Sequence, residues 1–308
     1  MDTSERWSPL PWNEWKDTCE TLHLWTQIVG KAKLQLAPFL NELWEVGFHV
    51  TARGMTTGII PTGERVFEVN FDFVDHNLFV ATSDGQIKAV PLTPRSVADF
   101  YDEFMSILQA LGIDVTITTT PVETSITTPY DRDHTHASYD AGSVNRWWRI
   151  LVQTTTILQR YRSSFSGKSS PVLFYWGSFD LSEARYSGKP LPPSEGMPRF
   201  YQIAEDEENV ACGFWPGNPN ASGVTLGEPA FYSYIKPAPE GYKDASVQPS
   251  AAQYDSRLGE FILRYQDARS AASPDQTILD FFQSTYRAAA ELAHWDRASL
   301  ERNPAQVP

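Results

Sequence analysis

The chain has 308 residues, 41% of them hydrophobic and 20% charged, which is enough apolar material to bury a core and too much for intrinsic disorder. Thirty-eight acidic against 25 basic side chains leave a net charge of −13, which repels phosphate backbones and excludes nucleic acid as a favoured partner. Ten Trp, thirteen Tyr and seventeen Phe bring the aromatic share to 13%, and such side chains fill either a core or a concave ligand surface.

Leu22, Trp25, Val29, Ala32 and Leu36 recur at helical spacing, so a helix is expected over 17–37, ended by Pro38. Trp44 to Arg53 reads as strand, followed by a turn through Gly63. Phe67, Val69, Phe71 and Phe73 then alternate with Glu68, Asn70 and Asp72, the pattern of a strand with one wet face. Turns at Asp75-His76-Asn77 and Asp84-Gly85 extend this into an antiparallel meander. A helical stripe from Val97 to Leu111 follows, opened by Thr93-Pro94 and closed by Gly112. A short strand over 113–118 leads into a Thr- and Pro-rich linker.

The order then begins again. Val144 to Phe165 is a long helix, Pro171 to Leu181 an aromatic strand, and further strands are expected near 210–215, 230–235 and 259–263. The last helix starts at Ser273-Pro274-Asp275-Gln276, which has the form of a capping box with Pro at the first helical position. Helix, strands, helix in each half suggests duplication, with an insertion in the second half within 184–258. The expected class is therefore α+β, with two similar halves, each an antiparallel sheet flanked by helices. The division is 1–118, a linker over 119–139 that carries a His-x-His, and 140–308.

The runs TLHLWTQIVGKAKL, HVTARG, FDFVDHNL, PLTPRSVADFYDEFM, HASYD, SPVLFYWGSFDL, GFWPG, EPAFYSYIKPAPEGY and GEFILRY carry a resemblance. Together they resemble domain-of-unknown-function family 5996, a group of bacterial and fungal proteins, from about Trp12 to Leu300. The resemblance implies no fold, substrate, cofactor or catalytic residue, so those rest on the residues themselves.

His134 and His136 in Asp131-Arg132-Asp133-His134-Thr135-His136 would project to one side of an extended segment, which suits two imidazoles on one divalent metal. A solvated loop accounts for them equally. His49 and Asp180 are polar groups inside apolar strand segments, with Arg53 and Arg185 downstream. If the two halves meet on a twofold axis, they could pair as base and orienting acid, with the arginines clamping an anionic group. Two separate buried salt bridges are the alternative. Trp215, Glu228, Tyr232 and Tyr234, with Tyr175 and Trp176, could wall an apolar pocket in which Glu228 orients a ligand.

Cys19 and Cys212 fit no metal or redox spacing and read as buried thiols. The polar N-terminus and the lack of any long apolar run point to a cytoplasmic protein with no membrane partner. No Walker loop, dinucleotide fingerprint, Gly-x-Ser-x-Gly or His-Glu-x-x-His is present, so no nucleotide cofactor is expected. The expected activity is acid–base chemistry on a small molecule, as in hydrolysis, isomerisation or cyclisation. His49, Asp180, His134, His136 and Glu228 are the chemical candidates. Arg53, Arg185, Tyr175, Trp176, Trp215, Tyr232 and Tyr234 are the candidates for binding. The alternatives are a metal enzyme built on His134 and His136, and a ligand carrier or interaction protein without catalysis.

Overall fold

The computed structural model describes residues 6–193, 195–196, 199–220 and 222–302. The first half runs from helix α1 (Trp12–Leu36) through six strands to α2 (Val97–Ala110). Its strands are β1 (His49–Val50), β2 (Gly54–Thr56), β3 (Ile60–Thr62), β4 (Arg65–Asp72), β5 (Asn77–Thr82) and β6 (Ile87–Pro91). The second half begins with α3 (Ala141–Ser163) and contributes β7 (Leu173–Tyr175), β8 (Asp180–Pro190), β9 (Glu207–Trp215), β10 (Ala230–Lys236), β11 (Gln253–Asp255) and β12 (Glu260–Arg264). Short helices α4 (Arg199–Ala204) and α5 (Tyr265–Arg269) interrupt it, and α6 (Pro274–Leu292) and α7 (Arg297–Leu300) close it. The fold is α+β, with one antiparallel sheet per half.

The sheet orders are β1-β2-β4-β5-β6, with β3 also on β4, and β11-β12-β10-β9-β8-β7. The edges of the two sheets join at one point. Phe48 and Phe174 exchange both backbone hydrogen bonds at 2.8 Å, which satisfies polar groups that sheet edges would otherwise expose. Aromatic rings fill the space around this seam, with Trp147 stacked on Phe179 at 5.0 Å and meeting Phe174 edge-on at 5.5 Å.

Several local expectations differ from the structure. The segment 44–53 is mostly not strand: a 3-10 turn, Asn41–Leu43, precedes the two-residue β1. Pro171–Leu181 is two strands, because Trp176 to Phe179 form a turn that pairs Tyr175 with Asp180. Residues 113–118 form no strand, and the Thr118 carbonyl accepts from Lys31 instead. The Ser273 side chain caps nothing; α2 and α3 are capped by Ser96 and Asp140, which accept from the Asp99 and Ser143 amides.

Helix α1 is enclosed on all sides. From Leu22 to Lys33 every residue is buried, including His23, Gln27, Lys31 and Lys33, whose polar ends must find partners there. They find backbone. Gln27 Nε2 donates to the carbonyls of Val122 and Gly177, while its Oε1 accepts from the Val122 amide and the Tyr130 hydroxyl. That arrangement fixes the amide orientation, so His23 Nε2, 2.8 Å from the Gly177 oxygen, is the protonated ring nitrogen and donates to it. Lys33 reaches the Gly47 carbonyl. One helix thus ties down the 113–140 connection, the β7–β8 turn and the approach to β1. Replacing Gln27 by Leu keeps the volume but strands several buried backbone groups and a phenol. A loss of about 2–4 kcal/mol is expected in urea unfolding, and a midpoint equal to wild type would show that α1 does not hold these segments.

Candidate functional site

The second sheet has one face against α3 and α6 and the other lining a cavity. The twofold period of the strands sorts their side chains between these faces. On β8, Asp180, Ser182, Ala184 and Tyr186 line the cavity, while Leu181, Glu183 and Arg185 face the helices. On β10, Tyr232 and Tyr234 line it, and Phe231 packs with Trp7 and Phe282 in the core. Lys31 and Leu34 of α1, Leu43, Val46 and the 117–123 stretch line it as well, as do Phe200 and Tyr201 of α4.

The cavity has two lobes. An apolar one of about 600 Å³ holds Trp176, Tyr175 and Tyr186, and a more polar one of about 470 Å³ holds Trp215, Lys236 and Glu260. Glu123, Ser178, Asp180, Tyr232 and Tyr234 border both. Close backbone approach allows this placement. A Cβ on Gly30 would lie 2.3 Å from the Trp176 ring, and one on Gly177 would lie 2.2 Å from Glu123 Oε1.

Five carboxyls line the two lobes; Glu42 and Glu205 are paired with lysines, and Asp180, Glu123 and Glu260 are not. Asp180 accepts from the Ser178 hydroxyl at Oδ1 and from Tyr232 Oη at Oδ2. Burial raises its pKa, and the two hydroxyls oppose that rise. Glu123 is pushed up to about 7 by burial and by the neighbouring Asp180. Glu260 rises to about 8 through burial, Asp180 and Asp255. Around neutral pH the site therefore combines a hydroxyl-clamped carboxyl with Glu123 near the middle of its titration and Glu260 mostly protonated, an arrangement suited to taking and giving protons.

Backbone strain gathers at the same place. Of the six described non-glycine residues with positive φ, Glu42 (50°), Leu43 (60°) and Glu123 (50°) line the cavity and Phe179 (66°) directly precedes Asp180. Each such conformation costs on the order of 1–3 kcal/mol and persists only where packing overrides it. Phe179 is held by its stack on Trp147 and by His23 at 4.9 Å.

The structure brings together Asp180, Tyr175, Trp176, Trp215, Tyr232 and Tyr234 of the residues expected from sequence. It places the others elsewhere. His49 is exposed, and the antiparallel Phe48–Phe174 pairing carries it away from the Tyr175 end that meets Asp180. A shared His49–Asp180 centre is therefore not formed. Arg53 is bound to Asp72 and Asp75 at 2.7 and 2.6 Å on the first half's turns. Arg185 is buried in the core on the opposite sheet face, 3.4 Å from the Tyr161 ring centre and 4.4 Å from that of Tyr286. Glu228 pairs with Arg264 and lines neither lobe.

His134 and His136 belong to a loop that docks on the N-terminus of α2. Asp133 binds His136 Nδ1 at 2.6 Å, and the Asp133 and His136 carbonyls accept from the Ala98 and Val97 amides. Among the described residues no three His, Cys, Asp or Glu side chains converge as metal ligands. Glu123, Ser178, Tyr201, Glu205 and Glu260 were not anticipated. Glu123 had a signal: it is the only charged residue between Asp114 and Asp131.

Fold and site together define a two-sheet α+β protein with an acidic, tyrosine-rich cavity on one face of its second sheet. The chain belongs to the family of unknown function DUF5996, which it matches over residues 7–302. No curated protein and no solved structure matches it. No helix among the described residues is long and apolar enough to cross a membrane.

The raised carboxyls set a pH dependence. A carboxyl that keeps its proton longer in the folded state than in the unfolded one lowers stability as pH rises from its ordinary value to its folded one. For Glu123 that window runs from about 4.5 to about 7, and for Glu260 to about 8. His23, lowered to about 4 mainly by burial, acts in the opposite sense between about 4 and 6.5, so the comparison must be with variants. Glu123→Gln and Glu260→Gln are expected to unfold at higher temperature than wild type at pH 8 and at nearly the same temperature at pH 4.5. Thermal midpoints across this range that run parallel to wild type would contradict the protonation states assigned above.

Proposed function

We propose that this cavity is the active site of an enzyme that performs acid–base chemistry on a small molecule, of the kind found in hydrolysis, isomerisation or cyclisation, without a nucleotide cofactor. The observation that carries the reading is the border between the lobes. There Asp180, clamped by Ser178 and Tyr232, shares one space with Glu123, which holds its proton up to about 7. Asp180 is suited to accept a proton from a bound molecule and Glu123 to deliver one; the pair's total proton count is then unchanged, and a proton passed from Asp180 back to Glu123 through solvent restores the starting state. The aromatic walls would hold the substrate body, and α4 would cover it and exclude water.

His49, His134 and His136 have no part in this reading, because none lines either lobe. A carrier would also use an aromatic cavity; the reading as an enzyme rests on Asp180 and Glu123 facing one space at the border of the lobes.

Incubating the purified protein with a mixture of small metabolites and following it by mass spectrometry separates enzyme from carrier. Catalysis consumes one compound in many-fold excess over protein. Asp180→Asn or Glu123→Gln should slow that turnover by about 10²–10⁴-fold, and Arg53→Ala should leave it intact. A compound retained stoichiometrically but never converted would overturn the catalytic reading.

A further inference from the structure

We propose that the molecule bound in this cavity carries a cationic head group, an ammonium or alkylammonium, seated between Asp180, Glu123 and Glu260 and against the rings of Tyr232 and Tyr234. The proposal rests on the cavity being the functional site and adds the charge class of its ligand.

The polar lobe is rich in acid that has no basic partner. Four acidic side chains line the polar lobe: Glu205 pairs with Lys236, and the other three, Glu123, Asp180 and Glu260, come from three separate segments, the 113–140 connection, β8 and β12. None of these three belongs to an ion pair among the described residues. Glu123 and Glu260 also accept no hydrogen bond there, although burial raises both. Carboxyls partly removed from water without partners carry a cost, which a cation or a set of donors would offset.

The basic groups nearby are already committed. The Lys31 ammonium is spent on the Thr118 carbonyl and hydroxyl and on the Thr120 carbonyl. Lys236 is paired with Glu205, and the remaining lining acid, Glu42, with Lys168. Arg199 on α4 lines only the apolar lobe. The shared border is thus left with an excess of acid.

The rings supply the second observation. Tyr232 and Tyr234 stand nearly parallel, with centres 6.2 Å apart, on the cavity face of β10, and Trp215 lies in the same lobe. Aromatic faces attract cations through their quadrupole, and the attraction grows when water is displaced. An anionic ligand would add a further negative charge beside three acids. A purely apolar one would bury those acids without partners. A cation answers both the carboxyls and the rings, and on entry it would favour the ionised form of Glu260 and release its proton, leaving Glu123 as the acid.

The test uses the full chain with choline as the cation and 3,3-dimethylbutan-1-ol as its uncharged isostere, by calorimetry near pH 7 in two buffers of different ionisation enthalpy. Choline is expected to bind at least about tenfold more tightly than the isostere, with net proton release. Glu260→Gln should weaken choline several-fold while leaving the isostere unchanged. Equal binding of the two probes, no saturable binding of choline, or choline binding indifferent to Glu260→Gln would overturn the proposal. The wild-type comparison alone decides the question if the variant fails to fold.

Carbon-13 titration of Glu123 and Glu260 in the free protein tests the acid–base reading separately. Raised titrations without charge preference would remove the cation and keep the acid–base site. Charge preference with ordinary titrations would keep the cation and remove the acid–base site.

Discussion

The rest of the structure depends on a helix that carries polar side chains where a core helix ordinarily carries apolar ones. Helix α1 is buried around its whole circumference from Leu22 to Lys33, yet His23, Gln27, Lys31 and Lys33 project from it. Each would be destabilising if unpartnered. Each is answered by backbone from a segment that lacks a sheet or helix to supply its own hydrogen bonds: the 113–140 connection, the β7–β8 turn and Gly47. The constraint is reciprocal. The irregular segments are ordered because α1 satisfies them, and α1 can be polar and buried because they surround it. Glu123 and Ser178 reach the cavity from two of those segments.

On β7 to β10 and in the turn between β7 and β8 the aromatic residues divide by chemistry, whereas elsewhere in the second half Trp147, Tyr161 and Tyr286 lie in the core. Within that region Phe174, Phe179, Phe214 and Phe231 pack in the core, while Tyr175, Trp176, Trp215, Tyr232 and Tyr234 border the cavity. A phenyl ring has no polar atom and loses nothing by complete burial. A phenol or indole needs a partner for its O–H or N–H, and the cavity border provides one, as where Tyr232 donates to Asp180 and Trp176 to the Val46 carbonyl. The same border concentrates acid in a place of limited hydration. Asp180 raises the pKa values of Glu123 and Glu260, and the hydroxyls on Asp180 mark it out from those two.

Much of this was legible in one dimension. Helix periods located α1, α2, α3 and α6, and alternation located β4. Strict use of the twofold period would also have separated Asp180 from Arg185, since positions five apart on an unbroken strand face opposite ways. Pairing each polar strand residue with the next arginine downstream ignored that parity, and Arg185 lies in a cage of Tyr161, Phe165 and Tyr286 instead. His134 and His136 are of ligand type, but the acid just before them in the linker, Asp133, shapes that loop into a dock for α2. Glu123 was hidden because a Thr- and Pro-rich stretch gives no sign of what it packs against.

By itself the sequence determined the α+β class, the helix-strands-helix order of each half and the clustering of Tyr and Trp around 172–181 and 212–235, because period and turn chemistry are local. Tertiary structure alone decided that the sheets join at Phe48 and Phe174. It also decided which strand face is wet and which acids share a space. Asp180, Glu123 and Glu260 lie far apart along the chain, and nothing near any of them in sequence signals the others. Their coupling arises only when β8, β12 and the 113–140 connection are brought around one cavity, at distances where buried charges act on each other.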